Sequence, residues 1–163
     1  MLSCSECVLT ALLLTASLQL VTSNHHARTM SLLHALIAHE QTVVAEHSVS
    51  APSTSTPATY NEACQSILRK LPAGSSRLTY AAGEILVHYV KRESWTAMCV
   101  ADQQAGRRVP FTFLARALDR FMQLHGSAHD ALQPPKPYEY QSSFGHQLAK
   151  MMVRAWLWAG MPC

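Results

Sequence analysis

"SSRLTYAAGEILVHYVKRESWTAMCVAD" runs from Ser75 to Asp102 and is split at Ala82-Gly83 and at Glu93-Ser94 into three segments that alternate apolar with polar residues. A period of two sends successive side chains to opposite faces of a strand. Arg77 to Ala81, Glu84 to Lys91 and Trp95 to Ala101 are each of strand length, and the residues between them suit tight turns. The stretch therefore predicts a three-stranded antiparallel meander. Both of its faces read largely apolar, so helices are expected to cover it on either side.

Upstream, Ser31 to His39 sets Leu33, Ala35 and Ile37 against Leu32, Leu36 and Ala38, the signature of a central strand covered on two sides. Glu40-Gln41 permits a tight turn into Thr42 to Val49, whose polar residues suggest an edge strand and complete a hairpin. "APSTSTPAT", residues 51–59, reads as a loop, and Thr59 with Glu62 has the spacing of a capping box. The helix that follows carries Tyr60, Ala63, Cys64, Ile67, Leu68 and Leu71 along one stripe, and Pro72 and Gly74 end it.

Downstream of the meander, Gln103 to Arg108 is polar and Pro110 suits the first turn of a second helix. Phe113, Leu114, Ala117, Leu118, Phe121 and Leu124 are expected to face inward, and Arg116, Asp119, Arg120 and Gln123 to face water. A Pro-rich loop through "QPPKPYEYQ" leads to Ser142-Ser143 and a last helix with Phe144, Leu148, Met151, Met152 and Ala155 inward. The predicted order is β-β-α-β-β-β-α-α.

The chain has 163 residues, 48% of them hydrophobic, enough for one core. Its net charge of +3 arises from thirteen basic residues scattered along the sequence, with nothing longer than pairs such as Arg107-Arg108. That distribution argues against nucleic acid as a partner. For Arg107-Arg108 a solvated turn is expected, since two charges make only a weak contact with anionic lipid.

Five cysteines (Cys4, Cys7, Cys64, Cys99, Cys163) make an odd number, and Cys64 and Cys99 fall at predicted core positions, which favours reduced thiols over a disulfide framework. Cys4-x-x-Cys7 has no second pair to complete a zinc site. Residues 1–29 contain an apolar run, Val8 to Val21, of signal-peptide length but without a basic segment before it. Met30 precedes the first strand directly, so a non-domain extension is expected for 1–29.

The order and wording of these segments resemble the longin domain of R-SNARE vesicle-associated membrane proteins, over residues 30–152. "ILRKLP" closes the first helix, "RLTYAAGEILVHYV" forms the next hairpin and "MCVADQQ" leaves the sheet. "FTFLARALDRF" and "PYEYQSSFGHQLAKMM" follow in the last two helices. The resemblance implies an α+β, profilin-like fold, a five-stranded antiparallel sheet with the first helix on one face and the other two opposite. It further implies a regulatory module of vesicle-mediated transport at the cytoplasmic face of endomembrane vesicles. An apolar groove between the first helix and the third strand would hold a SNARE-motif helix, in cis or in trans, or a sorting adaptor. The matching positions are Ile67 and Leu68 on the helix and Leu78 and Tyr80 on the strand. No cofactor, metal, nucleic acid or small-molecule substrate is implied, and membrane association would run through partners.

Enzymatic chemistry finds little support in the residues. There is no phosphate-binding glycine loop, no H-E-x-x-H and no G-x-S-x-G. Cys99 and His88 stand on adjacent predicted strands, but strand position buries the thiol and no carboxylate orients the ring. The histidines, among them His25-His26, His125 and His129, suit solvated or capping roles better than metal ligation.

After Met152 the text reads "VRAWLWAGMPC", a divergent tail (153–163) in place of the heptad-repeat helix and anchor expected of a full R-SNARE. Three readings follow from that departure: a truncated longin R-SNARE, a free-standing longin adaptor without fusion activity, and a small secreted domain with 1–29 as its signal.

Overall fold

A computed structural model describes residues 32–49, 57–126 and 133–159. The readings made for residues 1–29, Cys4-x-x-Cys7, His129 and the end of the tail lie outside these residues. Five strands form one antiparallel sheet: β1 Leu32–His39, β2 Thr42–Ser48, β3 Ser76–Ala82, β4 Ile85–Arg92 and β5 Trp95–Asp102. Three helices, α1 Pro57–Leu68, α2 Arg108–His125 and α3 His146–Ala159, join them in the predicted order. The strands lie in the order β2-β1-β5-β4-β3.

β1 and β5 read apolar on both faces because they are covered on both. Leu32–Ala38 and Trp95–Ala101 are buried throughout. On one face Tyr60, Cys64 and Leu68 of α1 pack with Leu36, Ala38, Val43, Val87, Tyr89, Met98 and Val100. Opposite, Phe113, Leu114, Ala117, Leu118 and Phe121 of α2 and Leu148, Met152 and Ala155 of α3 pack with Ala35, Ile37, Ala97 and Cys99. Phe121 sits at the centre of an aromatic group, with ring centroids 4.9 Å from Trp95, 5.1 Å from Phe144 and 5.3 Å from Tyr140.

Several expectations require correction. α1 begins at Pro57, so Thr59 lies within its first turn rather than at its cap. Proline at the first helical position costs no hydrogen bond, because that N–H has no partner within the helix. Leu124 is 37% exposed, since the last turn of α2 runs beyond the sheet that buries Phe121. A π-type turn over Gln141–Gly145 precedes α3 and carries Phe144.

The largest correction concerns the meander, where β3 is not covered on both faces: all of its residues are exposed or half-buried. Gly83, at φ 64°, turns β3 into β4 in a conformation that side chains disfavour.

The two outer strands are treated differently. Beyond β2 runs the Pro-rich segment: Tyr138 N–H donates to Val43 O at 2.9 Å and Tyr140 N–H to Val44 O at 3.0 Å. The Gln141 carboxamide continues the ladder, accepting from Glu46 N–H at 2.8 Å and donating to Glu46 O at 2.9 Å. Paired groups of this kind close an edge to stray strands. No described segment pairs with the outer edge of β3.

Two histidines are sealed in the sheet. Nδ1 of His34 meets Ser48 Oγ at 2.7 Å and Nδ1 of His88 meets Thr79 Oγ1 at 2.8 Å, while neither Nε2 has a partner. Burial, with the nearby His47 in the first case and Arg107 in the second, lowers each pKa from 6.5 to about 4. At pH above 6.5 neither ring is charged, folded or unfolded. Below it the unfolded chain takes up protons first, so stability falls as pH drops from about 6.5 to about 4, by about 1.4 kcal/mol per unit for each ring. Urea midpoints measured across that window should decline steadily, and a flat profile would mean that the rings are hydrated.

Candidate functional site

The hairpin register fixes which side chains of β3 share a face. Leu78 stands opposite Tyr89 and Tyr80 opposite Val87, and Tyr89 and Val87 belong to the core beneath α1. Leu78 and Tyr80 therefore lie on the α1 side of the sheet, as their spacing of two requires. Arg77 and Thr79 turn to the other side.

α1 makes its main approach to β5 and β1. β3 is two strand spacings from β5, about 10 Å, and a helix with its side chains is about 10–12 Å across. A helix seated over β5 and β1 thus reaches toward β4 and leaves β3 without a roof. Tyr80 and Ile67 are half-buried against the α1-side core, joined there by Leu71 and Ile85. Leu78 is 50% exposed. The tyrosine rings of Tyr80 and Tyr89 stack with centroids 6.2 Å apart and planes 17° apart, so the floor of this strip is aromatic.

The four expected residues do not play equal parts. Leu68, 3% exposed, is core and supports the strip from below. Ile67 and Tyr80 form its flanks, and Leu78 offers the most open apolar surface. Tyr89 was absent from the expected set. Counting the register back from the Gly83 turn, which pairs Leu78 with Tyr89, was the signal that would have found it. Lys91 Nζ donates to Pro72 O at 2.7 Å, tying the loop after α1 to β4 and holding the helix end beside the strip.

Reactive chemistry does not converge here or elsewhere among the described residues. Burial pushes the Cys64 thiol up to about 12, and that of Cys99 well above its ordinary value. His88 stands beside Cys99 in the β4–β5 ladder, but its lowered pKa and the raised thiol leave both groups neutral at neutral pH, with no thiolate to act as nucleophile. No group of three or more potential metal ligands occurs among the described residues. No described helix is long and apolar enough to cross a membrane.

An antiparallel sheet with helices on both faces and one apolar flank left open among the described residues defines a fold of the α+β class. The chain belongs to the longin family: the model for the regulated-SNARE-like longin domain matches residues 44–148. β1 precedes that match yet lies between β2 and β5 in the sheet. The chain is 36% identical over 105 residues to vesicle-associated membrane protein 712 of Arabidopsis thaliana, covering 64% of this chain and 45% of that one. It is 29% identical over 123 residues to vesicle-associated membrane protein 7 of Homo sapiens, covering 76% of this chain and 52% of the relative. With vesicle-associated membrane protein 7B of Dictyostelium discoideum the identity is 29% over 123 residues, 76% of this chain and 44% of that one. The chain thus spans about half the length of the curated relatives it matches. The family is one of SNARE proteins rather than of catalysts.

The division between support and exposed surface is measurable. Leu68→Ala should cost about 2–5 kcal/mol of unfolding free energy, whereas Leu78→Ser should cost about 1 kcal/mol or less. Equal losses in urea denaturation would place Leu78 in the core and remove the strip.

Proposed function

We propose that this longin module regulates vesicle-mediated transport by holding a SNARE-motif helix, or a segment of a sorting adaptor, against the apolar strip formed by Ile67, Leu68, Leu78 and Tyr80. The observation that carries the reading is the 50% exposure of Leu78 on a sheet face that is otherwise closed by α1. An amphipathic helix laid beside α1 would extend the roof over β4 and β3 and bury that leucine, the usual way a helix docks in a groove. Tyr80 would keep its hydroxyl at the rim while its ring packs.

The contact area is small. Covering the open parts of Leu78, Tyr80 and Ile67 offsets association costs by only a few kcal/mol. Binding of that strength suits a reversible switch, stronger in cis than in trans because a tether raises the effective concentration. The compartment follows from the relatives, all named as vesicle-associated membrane proteins, and is proposed here as the cytoplasmic face of endomembrane vesicles.

Titration of the isotopically labelled chain with a SNARE-motif peptide from such a relative tests this. Resonances of Leu78, Tyr80 and Ile67 should shift together, and Leu78→Ser should weaken binding about tenfold. Shifts confined to other parts of the molecule would overturn the assignment.

A further inference from the structure

Thirteen lysines and arginines are spread along the sequence without a cluster, but the fold gathers seven of them around α2. A cavity of about 500 Å³ lies between the first turn of α2 and β3, bordered by Arg77, Arg107 and Arg108 with Thr79, Phe111 and Thr112, and Leu78 on its rim. A second, of about 370 Å³, lies between α2 and α3, bordered by Arg116, Arg120, Lys150 and Arg154 with Gln147 and Met151. No carboxylate borders either cavity.

Helical spacing produces the arrangement. Arg108, Thr112, Arg116 and Arg120 recur every four residues; each step overshoots a full turn by about 40°, so the row winds about 120° around α2, from the β3 side at Arg108 to the α3 side at Arg116 and Arg120. Lys150 and Arg154 repeat the spacing on α3. Asp119, on α2 itself, pairs with Arg92, and Arg108 and Arg116 also have contacts within the chain, so Arg120, Lys150 and Arg154 contribute most to the attraction of an anion. Arg77 is held in place over the ring of Phe111, its guanidinium carbon 5.6 Å from the centroid.

We propose that this face docks directly on an anionic membrane, with the two cavities receiving lipid headgroup phosphates. Three observations fit a bilayer, the first of them better than it fits a short acidic peptide. The cations extend along about 18 Å of α2, from Arg108 to Arg120 at 1.5 Å per residue, a length that a planar sheet of phosphates meets at many points together. Six of the seven are arginines, whose planar forks match phosphate oxygens two at a time. The charge is also uneven: the described residues include eight carboxylates, none of them bordering the two cavities, against only five further basic residues, so a negative surface is drawn to this face. Val153, 70% exposed and three residues after Lys150 on α3, supplies an apolar side chain near that lysine, suited to the headgroup boundary.

The test is flotation of the full 163-residue chain with vesicles of phosphatidylcholine alone and of phosphatidylcholine with phosphatidylserine. Binding should require the anionic lipid and should weaken with added salt, since the screening length falls from about 10 Å at 0.1 M to about 3 Å at 1 M. Each basic side chain near an anionic leaflet is worth about fivefold in partitioning, so the triple variant Arg120→Gln, Lys150→Gln, Arg154→Gln should lose on the order of a hundredfold. Arg69→Gln with Lys70→Gln, at the end of α1, should lose far less. Circular dichroism checks that the variants fold, and Arg154→Gln alone, with a roughly fivefold loss, serves if the triple variant does not. Equal binding to both vesicle types, or a triple variant that floats like the parent, would overturn the proposal. So would failure to float combined with capture on poly-glutamate that the triple variant abolishes, an outcome that would assign the face to an acidic protein.

Discussion

The ladder between β1 and β5 is the constraint on which the rest of the molecule depends. Each strand is buried along nearly its whole length, so neither can exist without a layer on both sides. Their backbone groups have no access to water and are satisfied only by each other and by β2 and β4, a requirement that unpaired buried amides make costly to break. With the ladder fixed, the alternation Ala35 and Ile37 against Leu36 and Ala38 assigns α2 and α3 to one face and α1 to the other. The single helix then has less width than the sheet it must cover. The unroofed strip at β3 is the geometric remainder of that mismatch.

The two edges of the sheet are finished differently. At β2, Tyr138, Tyr140 and Gln141 pair with the strand and close it. The carboxamide of Gln141 takes both bonds that a strand residue would take, and Gly145 is packed against it: a Cβ there would come within 2.7 Å of Gln141 Nε2. Among the described residues β3 has no such cover, although its exposed Leu78 would be the more hazardous edge residue for a free protein. Among the described residues, then, the sheet closes one edge with dedicated residues and leaves an apolar side chain open on the other.

Element order, the two-sided inner strands and the buried stripes of α2 and α3 were legible in the sequence because period and burial act locally. What escaped was set by tertiary geometry. Leu78 and Tyr80 read like Val87 and Tyr89, yet only the width of α1 decides that the first pair is open and the second covered. Leu124 has the spacing of the core residues before it and is exposed because the sheet ends first. The Pro-rich segment read as a loop, and nothing local in "PYEYQ" says that it docks on β2. The cations read as scattered because linear distance hides the turn of a helix: Arg116 with Arg120 and Lys150 with Arg154 are neighbours by spacing, but their convergence needs α2 and α3 side by side.

β3 is where the two surfaces meet. Its period of two sends Leu78 and Tyr80 to the α1 side and Arg77 and Thr79 to the other, and Leu78 also borders the cationic cavity, so one short strand lines both. The two surfaces therefore face opposite ways, and a membrane against α2 and α3 would leave the α1 side turned to the solvent and open to a helix. Their chemistry is also separable. Charge at Arg77 sets long-range attraction that salt screens, and the side chain at Leu78 sets a short-range contact that salt leaves in place. Because the strand is bonded to β4 along its length, ordering it from one side orders it for the other. A ligand on either face would thus lower the conformational entropy still to be lost on the opposite one, which is a physical basis for positive coupling between them without any change of shape.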